Sequence, residues 1–140
     1  PEHIFYVNTI NVWMFLAAIV TVDTRRSVLA TACGAALLLV NAFAHLQSGF
    51  TRLSYNPGLL SAVLVFLPFS IYRLFCLWRD QNTRAGTIAL AMVWALLAHA
   101  LIVGLAVVTY VNGVLPLWVY PMGLALWAIG PFFVRNEVPK

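Results

Sequence analysis

Residues 85–111 read AGTIALAMVWALLAHALIVGLAVVTYV and contain no Asp, Glu, Lys or Arg. A helix that crosses the hydrocarbon core of a bilayer, about 30 Å thick, needs roughly 20 apolar residues. This stretch is long enough to do so, and the whole chain shares its character. Of its 140 residues, 63% are hydrophobic and 9% are charged, whereas about 25% are charged in a soluble domain. The composition indicates an integral membrane protein.

Charged and polar residues divide the rest of the chain into apolar segments of similar length. The predicted spans are 4–22, 27–46, 58–78, 85–111 and 114–134. A polar loop is expected from Gln47 to Pro57, and Asn112-Gly113 is expected to end the fourth span. The alternation typical of membrane β-strands is absent. The sequence therefore predicts an all-α, polytopic transmembrane bundle of about five helices, forming a single domain over residues 1–140.

The basic residues predict the orientation of this bundle. If five helices alternate in direction, Arg52 lies on one side of the membrane and the other seven of the eight Lys and Arg residues lie on the opposite side. These seven are Arg25, Arg26, Arg73, Arg79, Arg84, Arg135 and Lys140. Cytoplasmic loops are enriched in Lys and Arg. We therefore expect the amino terminus outside and the carboxyl terminus inside.

The counts of charged residues and cysteines exclude several classes of protein. Eight Lys and Arg against four Asp and Glu leave too small a basic excess for a nucleic-acid partner, and two cysteines do not make a disulfide scaffold. No Asp or Glu lies inside a predicted span. Intramembrane carboxylates are common in proton and ion transporters, so the sequence argues against those functions.

The polar residues near the end of the second span form the first candidate site. Asn41 and His45 are four residues apart and so share one helical face. Arg52, Tyr55 and Asn56 follow in the predicted loop. Two interpretations remain open: the stretch is a turn that starts the third helix at Pro57, or the five polar residues converge on an outward-facing ligand pocket.

The three histidines suggest two further hypotheses. At about 1.5 Å per helical residue, His45 lies roughly 13 Å outward of the midplane, and His3 lies at a similar depth. Together they could bind a divalent metal, although zinc sites use three or four ligands. His99 lies within about 2 Å of the midplane, roughly 11 Å from His45 in depth. As a pigment or haem ligand, it would need a partner histidine from another chain.

The segment from Asn41 to His45, followed by Tyr55-Asn56-Pro57-Gly58-Leu59 and an apolar run ending in Leu67-Pro68, resembles the HXXEE-domain family of small bacterial membrane proteins. The resemblance covers roughly residues 1–75. His45 matches the second histidine of the family, and residues 55–58 match its Tyr-x-Pro-Gly motif. The family has no assigned function, and membership would imply a multi-pass protein of the bacterial inner (plasma) membrane.

The sequence departs from this family in one respect, because His-x-x-Glu-Glu does not occur in it. In the family this motif ends a helix that precedes the matching part, on the same outer face as His45. The resemblance therefore implies one of two situations. Either a further helix precedes Pro1 and is not part of this sequence, or the protein is a relative that has lost the acidic half of the site.

Three functions are compatible with these observations. The first is a non-catalytic membrane protein that binds a lipophilic small molecule, or packs as an accessory subunit or homo-oligomer in the lipid bilayer. The second is a metal-dependent or acid–base enzyme acting on a lipophilic substrate, with His45 as ligand or base, Asn41 orienting it, and Tyr55 and Asn56 contacting substrate. This enzyme requires the HXXEE helix. The third is pigment or haem binding through His99.

Overall fold

The computed structural model describes residues 28–52, 58–81 and 83–133; the first predicted span, 4–22, lies outside them. Every regular element of this described part is helical. The helices are α1 (Val28–Arg52), α2 (Leu59–Arg79), α3 (Ala85–Val111) and α4 (Val119–Phe133). The first three are long and apolar enough to cross a membrane. The described part of the chain is therefore all-helical, with the apolar helices of a membrane protein, as the composition predicts.

Helix α1 extends further than its apolar residues predict. The expected loop begins at Gln47, but the helix continues to Arg52. Polar side chains make a segment unsuitable for the hydrocarbon core, but they do not end a helix. In this last part of α1 the Thr51 hydroxyl donates to the carbonyl oxygens of Gln47 at 2.9 Å and Ser48 at 3.3 Å. The extension moves the centre of α1 from about residue 36 to about residue 40, closer to Asn41 and His45.

A π-helical turn, Ala62–Phe66, interrupts α2. In this turn the N–H of Leu67 donates to the carbonyl of Ala62, five residues earlier. The next residue is Pro68, which lacks an N–H and leaves one carbonyl of the preceding turn without its helical donor. The π turn therefore lies where proline has already disrupted the α-helical ladder.

A second π turn, Val107–Val111, ends α3. The N–H groups of Asn112 and Val114 donate to the carbonyls of Val107 and Val108 at 2.9 and 3.0 Å. Between them Gly113 has a φ of +64°, the left-handed conformation that glycine adopts most readily. This confirms that the helix ends at Asn112-Gly113.

Helix α4 begins at Val119, five residues after the predicted start of the last span. The N–H of Val119 donates to the carbonyl of Pro116 at 3.0 Å in the turn that precedes the helix. The left-handed backbone at Gly113 and the missing N–H of Pro116 explain why the apolar residues 114–118 are not helical. Hydropathy alone does not detect either feature.

Helix α1 is the most buried of the three long helices, and it packs against α2, α3 and α4. Its contact with α3 consists mainly of small side chains. The buried members of this cluster are Leu29, Ala32, Cys33, Ala36 and Leu37 of α1 and Ala91, Ala95 and Ala98 of α3. Small residues allow two membrane helices to approach closely. A second cluster joins α3 to α4 through Ile102, Tyr120 and Leu124.

Candidate functional site

His45 and Gly58, one residue from each of the two segments that carry the family resemblance, meet where α1 ends and α2 begins, which we call the hairpin end of the bundle. Gly58 has a φ of +98°. Its Cα faces the ring of His45 so closely that a Cβ atom there would lie 2.7 Å from Cε1 and 2.9 Å from Nε2. Glycine at position 58 therefore meets two requirements, a left-handed backbone and space for the imidazole.

Asn41 lies one helical turn below His45, towards the middle of α1. Its side chain is 6% exposed. Its amide nitrogen, Nδ2, is buried and has no hydrogen-bond partner among the residues that the structure describes. A buried polar group without a partner costs about 1–3 kcal/mol. Within the described part of the chain, the amide is therefore a buried donor whose acceptor is missing.

His99 of α3 belongs to the same region. His99 lies one residue beyond the centre of α3, and Asn41 lies one residue beyond the centre of α1. The two helices run in the same direction, because one antiparallel helix, α2, connects them along the chain. The Nδ1 atom of His99 is buried and makes no hydrogen bond of good geometry within the described part of the chain. The carbonyl of Ala95, one turn earlier, is the backbone group with which the ring interacts. Asn41 and His99 thus lie at nearly the same depth.

The structure revises the expected separation of the two histidines. Measured along the helix axes from the centres of α1 and α3, His45 and His99 differ by about 6 Å, whereas the predicted spans gave roughly 11 Å. His99, predicted as a separate pigment or haem ligand, lies one turn beyond Ala95 on the side of α3 that packs against α1. The spacing of Ala91, Ala95 and His99 in the sequence could have indicated this position, because small residues four apart are typical of a helix–helix contact.

Helix α2 forms the adjacent wall. Helices α1 and α2 are antiparallel. Asn41, four residues before His45, and Ala62, four residues after Gly58, are therefore equally far from the His45–Gly58 contact along their helices. Ala62 is buried and begins the π turn, and α1 packs against that turn. Single π turns inside α-helices occur frequently at functional sites.

The remaining predicted site residues cannot be placed in this region. Arg52 is the last residue of α1, and only its backbone is described. Tyr55 and Asn56, in the predicted loop, lie outside the described residues, as does His3, the second metal ligand of the sequence analysis.

The described side chains do not by themselves form a metal site. No group of three or more His, Cys, Asp and Glu residues in the described ranges is placed to hold a metal ion. The two described imidazoles are fewer than the three or four ligands of zinc sites. Asp80, the only described carboxylate, follows the last residue of α2 at the other end of the bundle.

The described polar side chains of this region are amide and imidazole groups. We call Asn41, His45 and His99 the polar triad. An asparagine amide donates through Nδ2, and a neutral imidazole donates through one nitrogen and accepts through the other. Such groups suit an uncharged ligand with a carbonyl or hydroxyl oxygen better than they suit an ion.

Comparison with known proteins gives one result. The model of the family described as "Protein of unknown function with HXXEE motif" matches residues 2–73, which include Asn41, His45 and Gly58. No curated protein and no solved structure shows a significant match to the chain. Because the match covers half of the sequence, and because it contains the His45–Gly58 contact, the chain belongs to the HXXEE family.

Proposed function

We propose that this protein binds a lipophilic small molecule within the membrane, and that the polar triad hydrogen-bonds the oxygen of that molecule. The single observation that supports the proposal is the buried Nδ2 of Asn41, which has no acceptor among the described residues. An amide retained at this position at a cost of about 1–3 kcal/mol suits a site in which a ligand supplies the acceptor. The ligand enters from the plasma membrane of the bacterial cell, where we place the protein.

The site favours a neutral ligand. No carboxylate or lysine is among the three polar side chains, and a charged ligand would need an opposite charge to offset its desolvation. An apolar body with one carbonyl or hydroxyl group near the middle of the bilayer matches the depth of Asn41 and His99. Free fatty alcohols, ketones and sterol-like molecules have this chemistry.

The proposal is tested by the small molecules that co-purify with the protein. Wild type, Asn41→Leu and Thr109→Val are purified in the same detergent, extracted with organic solvent and compared by mass spectrometry. Thr109 is a matched control, because its hydroxyl is also buried without a partner in the described part of α3. We expect one species at near-stoichiometric amount in wild type and Thr109→Val, and its loss in Asn41→Leu. The same lipid profile in all three proteins would contradict the proposal.

A second candidate function is catalysis, in which His45 acts as a base or a metal ligand. Two imidazoles can divide the roles of general acid and general base, and a divalent metal would need further ligands from residues outside the described ranges. Elemental analysis distinguishes this candidate from simple binding. Stoichiometric zinc, iron or manganese that disappears in both His45→Ala and His99→Ala would favour the enzyme, whereas metal-free wild-type protein would favour ligand binding.

A further inference from the structure

A groove lies between α2 and α3 at the end of the bundle away from the hairpin end. Both helices pack against α1, and the space that they leave between them has a volume of about 510 Å³. Every residue that lines it is apolar; these residues are Leu74, Phe75 and Trp78 of α2 and Ala85, Ile88 and Ala89 of α3. We call it the α2–α3 groove.

Two arginines flank the α2–α3 groove. Arg79 ends α2 and Arg84 immediately precedes α3, and both side chains are exposed. The guanidinium carbon of Arg79 lies 5.6 Å from the centre of the Phe75 ring, within the range of a cation–π contact. Because Phe75 lines the groove, this contact holds a positive charge at the edge of the groove.

The arginines outweigh the acidic residue near them. Asp80, which follows Arg79, is exposed and is the only carboxylate among the described residues. Two arginines and one aspartate leave a net charge of +1 on residues 79–84. This end of the groove therefore attracts an anionic group, and the planar guanidinium of arginine matches the geometry of a phosphate.

The depth of the groove corresponds to that of a phospholipid. Arg79 lies ten residues after the centre of α2, about 15 Å along the helix axis. This is half of the hydrocarbon core, which is about 30 Å thick. Leu74 lies five residues after the same centre, at about 8 Å. The groove therefore lies in the outer half of one hydrocarbon leaflet, and the arginines lie at the level of the lipid phosphates.

We propose that the α2–α3 groove binds one anionic phospholipid. An acyl chain of this lipid packs against Phe75, Trp78 and Ile88. Its phosphate is bound by Arg79 and Arg84. A free phosphate ion has no acyl chain to fill the groove, and a lipid without net charge gains less from the arginines. The proposal is independent of the ligand of the polar triad.

The test measures the quenching of Trp78 by lipids with brominated acyl chains, because bromine quenches tryptophan fluorescence only at short range. Purified full-length protein is reconstituted in phosphatidylcholine vesicles that contain increasing fractions of brominated phosphatidylglycerol or brominated phosphatidylcholine. The signal of Trp78 is the difference between each protein and the same protein with Trp78→Phe. We expect phosphatidylglycerol to quench Trp78 at a roughly three- to tenfold lower fraction than phosphatidylcholine, because one basic residue at the membrane surface favours anionic lipid about fivefold.

A double variant, Arg79→Gln with Arg84→Gln, removes the charge and keeps the groove. We expect it to lose the preference for phosphatidylglycerol while both brominated lipids still quench Trp78. Arg52→Gln is the control, because Arg52 ends α1 at the hairpin end, and it should keep the preference. Equal quenching by the two lipids in wild type would overturn the proposal and show only ordinary contact with the bilayer.

Filling the groove tests whether an acyl chain occupies it. Ala89 and Ala100 are both exposed on α3, but only Ala89 lines the groove. With both arginines in place, we expect Ala89→Leu to remove the preference for phosphatidylglycerol at Trp78 and Ala100→Leu to keep it. An unchanged preference in Ala89→Leu would overturn the proposal, because the arginines would then attract anionic lipid without placing a chain in the groove. If neither lipid quenches Trp78 in wild type, another polypeptide covers the groove and the proposal is likewise overturned.

The two proposed sites are distinguished by crossing their variants. Asn41→Leu is expected to lose the co-purifying molecule and to keep the preference for phosphatidylglycerol. Ala89→Leu is expected to show the opposite behaviour. Loss of the lipid preference in Asn41→Leu would show that the two measurements report a single site and overturn the assignment of a separate lipid to the α2–α3 groove.

Discussion

Gly58 and Gly113 share a left-handed backbone, at φ +98° and +64°, but only Gly58 faces a side chain. Alanine at either position therefore carries the same kind of backbone strain, of order 1–3 kcal/mol. At Gly58 it also forces the imidazole of His45 to move. We predict that Gly58→Ala lowers the free energy of unfolding more than Gly113→Ala, by at least 1 kcal/mol. Unfolding of the purified proteins in SDS measures this difference.

The His45→Ala background is the control for this prediction. Without the ring, a Cβ at position 58 has room, so Gly58→Ala should then cost about as much as Gly113→Ala. A double-mutant cycle reports the coupling directly. If Gly58→Ala is equally costly with and without the His45 ring, the contact does not explain why glycine occupies position 58.

At the residue scale, the sequence predicts the geometry of α1 but not the surroundings of its polar side chains. The spacing of Asn41 and His45 places them on one face, and the structure places His45 against the glycine of the Tyr-x-Pro-Gly motif. The position of His99 on the side of α3 that packs against α1 was not predicted. Side-chain polarity predicts the end of α1 at Gln47, but the helix continues to Arg52, because polar side chains do not interrupt backbone hydrogen bonding.

At the scale of the helices, the α1–α3 contact depends on alanine. Ala95 is fully buried in this contact, whereas Ala100 on the same helix is exposed. We predict that Ala95→Leu destabilises the protein by about 1–3 kcal/mol or more through overpacking. Ala100→Leu should change stability by less than about 0.5 kcal/mol. SDS unfolding compares the two variants, and equal effects would show that the small side chains do not set the helix separation.

The observed helix ends show which sequence features predict where a helix begins and ends. Helix α3 has the predicted bounds, because charged residues precede it and Asn112-Gly113 ends it. Helix α4 starts later than predicted, because a backbone turn from Pro116 to Val119, which hydropathy does not detect, precedes it. The π turn in α2 was not predicted either. A proline alone does not reveal whether a helix kinks or widens into a π turn.

At the scale of the whole molecule, the distribution of basic residues predicts an amino terminus outside and a carboxyl terminus inside. Gln81 and Asn112 are exposed residues at opposite ends of α3. In a background with Cys33→Ala and Cys76→Ala, we predict that a membrane-impermeant maleimide labels Asn112→Cys in intact bacterial cells. Gln81→Cys should react only after permeabilisation. The reverse pattern would invert the orientation, and labelling of both positions in intact cells would contradict a membrane span between them.

The stability of the whole molecule gives the most direct test of the central claim, that the Asn41 amide is retained for a ligand and not for the fold. Leucine is close to asparagine in size and removes the buried donor. In protein stripped of its co-purifying molecule, we predict that Asn41→Leu raises the free energy of unfolding in SDS by about 1–3 kcal/mol. A fall of similar size would contradict the claim, because it would show that Asn41 makes a hydrogen bond on which the folded protein depends.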